Sequence, residues 1–192
     1  MKRLLILLAL SLFLAGCGEA IETNMNEDML EFEFTTQDNE TLSLEDLKGN
    51  YWIADMIFTN CETVCLPMTA NMKLLQDRLK EEGFDDIQLV SFSVDPDYDT
   101  PEVLKEYGES YDADFSNWTF LTGYDFETIK EISIKSFKSI LAEPPEGDDQ
   151  VTHGTRFFLV NPEGKVIKHY DGVQSGNMES IVNDIRKIKE AE

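Results

Sequence analysis

Cysteine, histidine and positive charge are all scarce in this chain. Its 192 residues hold 3 cysteines and 2 histidines, and 16 lysines and arginines face 38 aspartates and glutamates, for a formal charge of −22. So few cysteines cannot build a disulfide framework, which needs several bridges. So negative a surface excludes nucleic acid and anionic lipid as general partners, because both would be repelled. What it can attract is cations or a basic protein face, with plain solubility as the alternative. No apolar run reaches the ~20 residues of a membrane-spanning helix. Internal repeats and low-complexity tracts are missing too, so one compact domain is expected.

The apolar run that does occur, Leu4 to Ala15, follows Lys2 and Arg3 and ends in Leu14-Ala15-Gly16-Cys17. A basic start, an apolar stretch and small residues before a cleavage point mark a secretory signal, and the last four residues resemble the bacterial lipobox. Residues 1–16 are therefore expected to be a lipoprotein signal peptide, with lipid on Cys17; a plain signal peptide with an incidental cysteine is the alternative. Residues 17–28, polar and acidic, read as a flexible tether, and 29–192 as the folded domain. The expected location is the cell membrane, anchored by lipid on its extracytoplasmic face. There, in an oxidising compartment, Cys61 and Cys65 are the two remaining cysteines. One close pair cannot staple a large fold and is of more use as a redox or metal site.

Leu30–Phe34 and Thr41–Leu44 flank a Gln37-Asp38-Asn39 turn, which predicts an N-terminal hairpin. Tyr51–Phe58 is a nearly continuous apolar run of strand length, as a central buried strand requires. Met68, Met72, Leu75 and Leu79 then share one helical face, stopped by Gly83. Ile87–Val94 is the next strand, Thr100-Pro101 a helix start, Trp118–Leu121 a short strand, and Asp125 a cap for a helix through Phe137. An acidic loop, Glu143–Gln150, precedes strands at Arg156–Val160 and Val166–Tyr170 and a last helix carrying Ile181, Ile185 and Ile188. This order predicts an α/β fold with a mixed central sheet flanked by helices and an N-terminal β-hairpin extension. A strand running into a cysteine pair that opens a helix is the thioredoxin-like layout.

Cys61-Glu62-Thr63-Val64-Cys65 falls at that helix start. Residues four apart share a helical face, so both sulfurs can point the same way. Free N–H groups and the helix dipole there favour thiolate over thiol. Two adjacent thiolates can close a disulfide or grip a soft metal. Three residues separate the cysteines, not the two of the usual redox motif. No proline stands in the loop before Arg156, where a redox protein of this layout would carry a cis-proline. Val151-Thr152-His153 occupies that place, so His153 is expected to face the cysteines. Two thiolates and one imidazole suit Cu(I), or Cu(II) with an added oxygen ligand, and Zn(II) stays chemically open. His169, beside Lys168 on a strand, is read as structural.

The cysteine pair with three residues between, Val94-Asp95-Pro96 with Asp99-Thr100-Pro101, Trp118-Thr119-Phe120-Leu121-Thr122-Gly123 and the downstream His153 together resemble the SCO/SenC family from about Leu30 onward. That resemblance implies a copper chaperone, not an enzyme, holding one copper per chain on Cys61, Cys65 and His153. It implies a role in assembling the dinuclear copper site of cytochrome c oxidase subunit II, with a thiol reductant or an upstream copper donor as further partners. One departure is visible: the family commonly has proline directly after its second cysteine, whereas Leu66 precedes Pro67 here.

Three aspartates are candidates to stand behind the ligands. Asp95 and Asp99 read either as turn and cap residues or as groups orienting a ligand or docking a partner. Asp55 interrupts the central strand six residues before Cys61; it is either buried with a raised pKa or turned to solvent at an edge. Met68 and Met72 are read as core. Two rival readings remain. A thiol peroxidase would need a proline and a threonine at set positions before its reactive cysteine, and Ala54 stands where the proline should be. A general thiol-disulfide oxidoreductase would use Cys61 and Cys65 without His153.

Overall fold

The computed structural model describes residues 20–191 apart from 62 and 64. The expected signal peptide and the lipid site at Cys17 lie outside the described residues. Chain order is β1 (Glu27–Asp28), β2 (Glu33–Thr36), β3 (Thr41–Ser43), α1 (Leu44–Leu47), β4 (Trp52–Ile57), α2 (Cys65–Glu81), β5 (Gln88–Ser93), α3 (Pro101–Ser110), β6 (Trp118–Thr122), α4 (Phe126–Lys135), β7 (Leu141–Ala142), β8 (Thr152–His153), β9 (Arg156–Val160), β10 (Lys165–Asp171) and α5 (Gly176–Ala191). Eight strands form one sheet in the order β1-β10-β9-β4-β5-β6-β2-β3, and β7 pairs with β8 apart from it. β4, β5 and β6 run parallel; their other neighbours pair antiparallel. This is the mixed α/β sheet, thioredoxin-like, that the order of the apolar runs predicted.

The centre follows from composition. Every residue of β4 is buried, because strands on both sides and helices over the sheet leave it no wet face. Each long element carries its boundary in the sequence. Thr100 caps α3 ahead of Pro101, and Asp125 caps α4 by accepting from the Thr128 N–H at 2.8 Å. Gly83, at φ +78°, ends α2: its N–H donates to Lys80 O and that of Phe84 to Leu79 O, satisfying carbonyls that the helix leaves open. The predicted hairpin pairs Phe34 with Leu42, but the run predicted to stay extended through Leu44 turns into α1 there, because Ser43 and Asp46 close a capping box.

The segment read as a free tether is docked from Ile21 onward. Ile21 is buried, and the N–H groups of Asn24 and Met25 donate to Ile167 O on β10. Asn24 also exchanges two hydrogen bonds with the His169 backbone, and β1 pairs with the start of β10. Two apolar side chains among acidic ones give no period, yet they suffice to lay the chain on a sheet edge. No helix among the described residues is long and apolar enough to cross a membrane.

Candidate metal centre

Cys65 is the first residue of α2, and Cys61 lies in the loop between β4 and that helix. The loop is tight: the Cys61 N–H donates back to Phe58 O at 3.3 Å, and the Cys65 N–H points at Cys61 Sγ at 3.4 Å. A backbone donor at a helix start thus faces a sulfur. Cys61 is 7% exposed and Cys65 1%, so one sulfur is presented and the other lies beneath it. Both cysteines are free.

His153 comes from β8, pinned by the pairs Leu141↔His153 and Ala142↔Thr152 and by the Gly154 N–H donating to Ile140 O. Gly154 leaves room there for Ser139, whose Oγ would lie 2.0 Å from an added β-carbon and would have to turn away. His153 Nδ1 lies 2.9 Å from Gly154 O. A carbonyl can only accept, so Nδ1 carries a proton, and Nε2 is left to the sulfurs: protonated it donates to a thiolate, deprotonated it gives its lone pair to a metal. Nε2 stands 3.3 Å from Cys65 Sγ, and the Phe58 ring meets the imidazole edge-on at 5.7 Å. The three donor atoms, two sulfurs and one nitrogen, lie within 4.8 Å of one another. Donors ~2.0–2.3 Å from a shared metal would sit ~3.8 Å apart in a plane, so a small contraction closes the set. Beside it a cavity of about 310 Å³ is lined by Phe58, Cys61 and His153 among others, which gives access from one side.

The two thiols titrate in opposite directions. Burial works against ionising Cys61, but His153, Cys65 and the N–H groups of Thr63 and Cys65 outweigh it and bring the pKa down to about 6. Burial pushes Cys65 far up, and the neighbouring Cys61 and Asp55 charges add to it. A thiolate on top of a thiol is the pattern for nucleophilic attack by Cys61, and a metal must drive the proton off Cys65.

Asp55 is fully buried, not at an edge. Ser91 donates to its Oδ1 at 2.6 Å while Oδ2 has no partner, and Trp118 Nε1 donates to the same Ser91 oxygen at 3.0 Å. Burial raises its pKa to about 7, opposed by Ser91 and by His153. Asp99 is buried as well, and it holds the cysteine loop: it accepts from Thr59 Oγ1 at 2.5 Å, from the Thr59 N–H at 3.3 Å and from Ser93 Oγ at 2.5 Å. Asp95 is half-buried and makes the turn, its carbonyl accepting from Tyr98 and Asp99. Its carboxyl is pushed up by burial and by Asp97 and Asp149. Neither Asp95 nor Asp99 is in the donor cluster. Met68 and Met72 are fully buried in the core, and His169 sits in a separate groove with Lys168 and Asp184.

Sequence reasoning did not find the two-residue strands that carry His153, which are too short to show a period. Nor did it find Asn60, Asp149 and Gln150, which tie the two loops together. A run of polar residues carries no sign of which neighbour it will meet.

Comparison with known proteins agrees with this fold. A model of the family described as SCO1/SenC matches residues 22–190. A protein of Bacillus subtilis (strain 168) named SCO1 protein homolog is 48% identical over 176 residues, 91% of this chain and 90% of its own length. Among solved structures, a SCO1/SenC family lipoprotein from Bacillus anthracis superposes with a TM-score of 0.81 at 48% identity, covering 85% of this chain and 96% of that one. The protein BsSco, described as carrying a disulfide switch and as a member of the Sco family of cytochrome c oxidase assembly proteins, gives 0.80 at 46% identity, over 90% and 99%. Yeast Sco1 with copper bound gives 0.69 at 26% identity, over 83% and 89%.

Proposed function

This chain belongs to the SCO1/SenC family, and from that premise we propose that it binds one copper ion through Cys61, Cys65 and His153 and delivers it to the dinuclear copper site of cytochrome c oxidase subunit II. The observation that carries the reading is the convergence of two sulfurs and an imidazole nitrogen within 4.8 Å beside an open cavity. Two soft thiolates and one nitrogen fit Cu(I) as a three-coordinate ion and leave room for an oxygen ligand on Cu(II). A site open on one side lets a client's ligands reach the metal before all of its first ligands leave. Copper here is cargo, not a catalyst. Anchoring by lipid on Cys17 at the extracytoplasmic face would place it beside a membrane-bound client.

The difference between the two cysteines favours a second activity of the same site, reduction of the client's cysteines before loading. The Cys61 thiolate would attack a client disulfide and release one client thiolate. Cys65 would then attack Cys61 Sγ in the mixed disulfide, free the second client sulfur and leave Cys61–Cys65 oxidised. A thiol reductant must restore the pair, which accounts for that partner.

The test is a titration joined to a strain panel. The reduced protein should take up one copper with thiolate-to-Cu(II) charge-transfer absorption, and the disulfide form should take up none. Cells lacking the protein should lose cytochrome c oxidase activity and regain part of it with excess copper, by mass action on the client site. Oxidases without a dinuclear copper centre should be untouched. Equal loss of both oxidase types would overturn copper delivery. Complementation by His153→Ala but by neither cysteine variant would make thiol reduction the function. Lipid labelling that survives Cys17→Ala would overturn the anchor.

A further inference from the structure

The donors come from two segments 88 residues apart. His153 rides on a ladder of two residue pairs, and the loop 143–151 joins the two short strands of that ladder. A ligand held this lightly is easily misplaced, and a site loose by 1 Å loses much of its function. Asn60, the residue before Cys61, bridges the gap. Its Nδ2 donates to Asp149 Oδ2 at 2.8 Å, and its carbonyl accepts from Gln150 Nε2 at 3.1 Å. Gln150 Nε2 also donates to Asp149 Oδ1 at 2.9 Å, which closes a ring of three residues to which Asn60 gives both its side chain and its carbonyl. Asp148 Oδ1 accepts from the N–H groups of Asp149 and Gln150 at 2.8 and 3.0 Å, so the loop end is shaped before it meets Asn60.

We propose that Asn60, Asp149 and Gln150 form a latch that holds the His153 hairpin over the cysteines and so sets whether copper is gripped by three protein donors or by the dithiol alone. Asn60 is a positioning residue: it touches no ligand atom, but it is bonded to the chain of Cys61 on one side and to a point three residues from His153 on the other. With the latch closed, Nε2 stays at the sulfurs. With it cut, the two-pair ladder, the Gly154 N–H bond to Ile140 O and the Phe58 ring are left to hold the hairpin, and the imidazole can swing away while the dithiol, set by the start of α2, stays as it was. The proposal rests on the copper reading above, and its test separates the two.

The full-length protein, reduced and loaded with Cu(II), would be compared by electron paramagnetic resonance, by copper affinity and by its disulfide reduction potential. Asn60→Ala combined with Gln150→Ala, which removes both bonds between the two segments, should keep the thiolate charge-transfer band, lose most of the nitrogen hyperfine coupling from His153 and bind copper ~10-fold more weakly, the scale seen when a group orienting a metal ligand is removed. Its disulfide potential should not move. Asn60→Asp sets two carboxylates face to face and should weaken binding further. Asn60→Asp combined with Asp149→Asn exchanges donor and acceptor, and it should restore both the nitrogen signal and the affinity. Wild-type coupling in the Asn60→Ala, Gln150→Ala variant, or an Asn60→Asp, Asp149→Asn variant no better than Asn60→Asp alone, overturns the latch. His153→Ala is the control: if it too leaves the nitrogen coupling unchanged, the copper reading falls and the latch with it.

Discussion

Two grooves in this molecule each hold one of its two histidines and have a buried aspartate within electrostatic reach, Asp184 in the one and Asp55 behind the other, and they differ in how their charges are met. In the groove between β10 and α5, Asp184 is bonded by Tyr170 Oη at 2.8 Å and by Lys168 and Lys187 at 2.7 and 3.5 Å. His169 there is tied down through its backbone by Asn24. Behind and at the donor site, Asp55 has an orphan oxygen, two cysteines are free of any disulfide, and an imidazole nitrogen has only a thiol sulfur for a partner. The β10–α5 groove is the larger, about 600 Å³ against about 310 Å³. Size therefore does not mark the functional site. Polar groups that satisfy one another make structure; polar groups left wanting a partner in one place make a binding site.

The largest contrast should appear in copper binding itself. Cys61→Ser and Cys65→Ser should each abolish the charge-transfer band, because a hydroxyl does not replace a thiolate for a soft ion. Asp184→Asn should leave copper binding unchanged. A band lost equally in Asp184→Asn would put the metal in the wrong groove.

Stability against pH should separate the two aspartates. Asp55 has its pKa raised from 3.8 to about 7, so between those values the folded state holds a proton that the unfolded state has lost. Its contribution therefore worsens as pH rises through that window, with the full cost above pH 7, on the order of 4 kcal/mol. Asp55→Asn should flatten this slope and gain most of that amount at pH 8 relative to pH 4, measured by urea unfolding of the metal-free reduced protein. Asp184→Asn should instead lose about 2–3 kcal/mol at pH 7, since it leaves a mostly buried Lys168 without its charge partner. The same direction for both would break the comparison.

The histidines come next. His153→Ala should weaken Cu(II) binding ~100-fold, about 2.7 kcal/mol, while His169→Ala should change it less than about twofold. Titration with a competing chelator reads both.

How much of this was legible in the sequence differs by element. Periodicity gave β4 and α2 because Tyr51–Phe58 and Met68, Met72, Leu75 and Leu79 repeat an apolar face often enough to read. Spacing placed Cys61 and Cys65 together, and topology placed His153 opposite them. The state of Asp55 was not legible, since a charged residue in an apolar run fits either a buried or an edge position; only its neighbours Ser91 and Trp118 decide. The docking of Ile21 and Met25, the β7–β8 ladder and the Asn60 bridge were hidden for a common reason. Each depends on one or two residues meeting a distant partner, and such pairs leave no period along the chain.

The smallest effect is also the most local. In the reduced, copper-free protein Cys61 should behave as a thiolate above pH 6, because its pKa is lowered to about 6 from an ordinary 9.0. Alkylation should therefore rise through pH 6 and level off by pH 7, where an ordinary thiol would still be gaining reactivity. Cys65, 1% exposed and pushed the other way, should stay unmodified throughout. Among the influences that lower the Cys61 pKa, His153 stands first, ahead of Cys65 and the backbone N–H groups. Removing the imidazole in His153→Ala should move the alkylation midpoint up by about one pH unit, since the remaining donors still favour the thiolate. His169→Ala should not move it. A midpoint that stays near 6 in His153→Ala would show that the helix start alone activates Cys61, and that the histidine serves the metal but not the thiol.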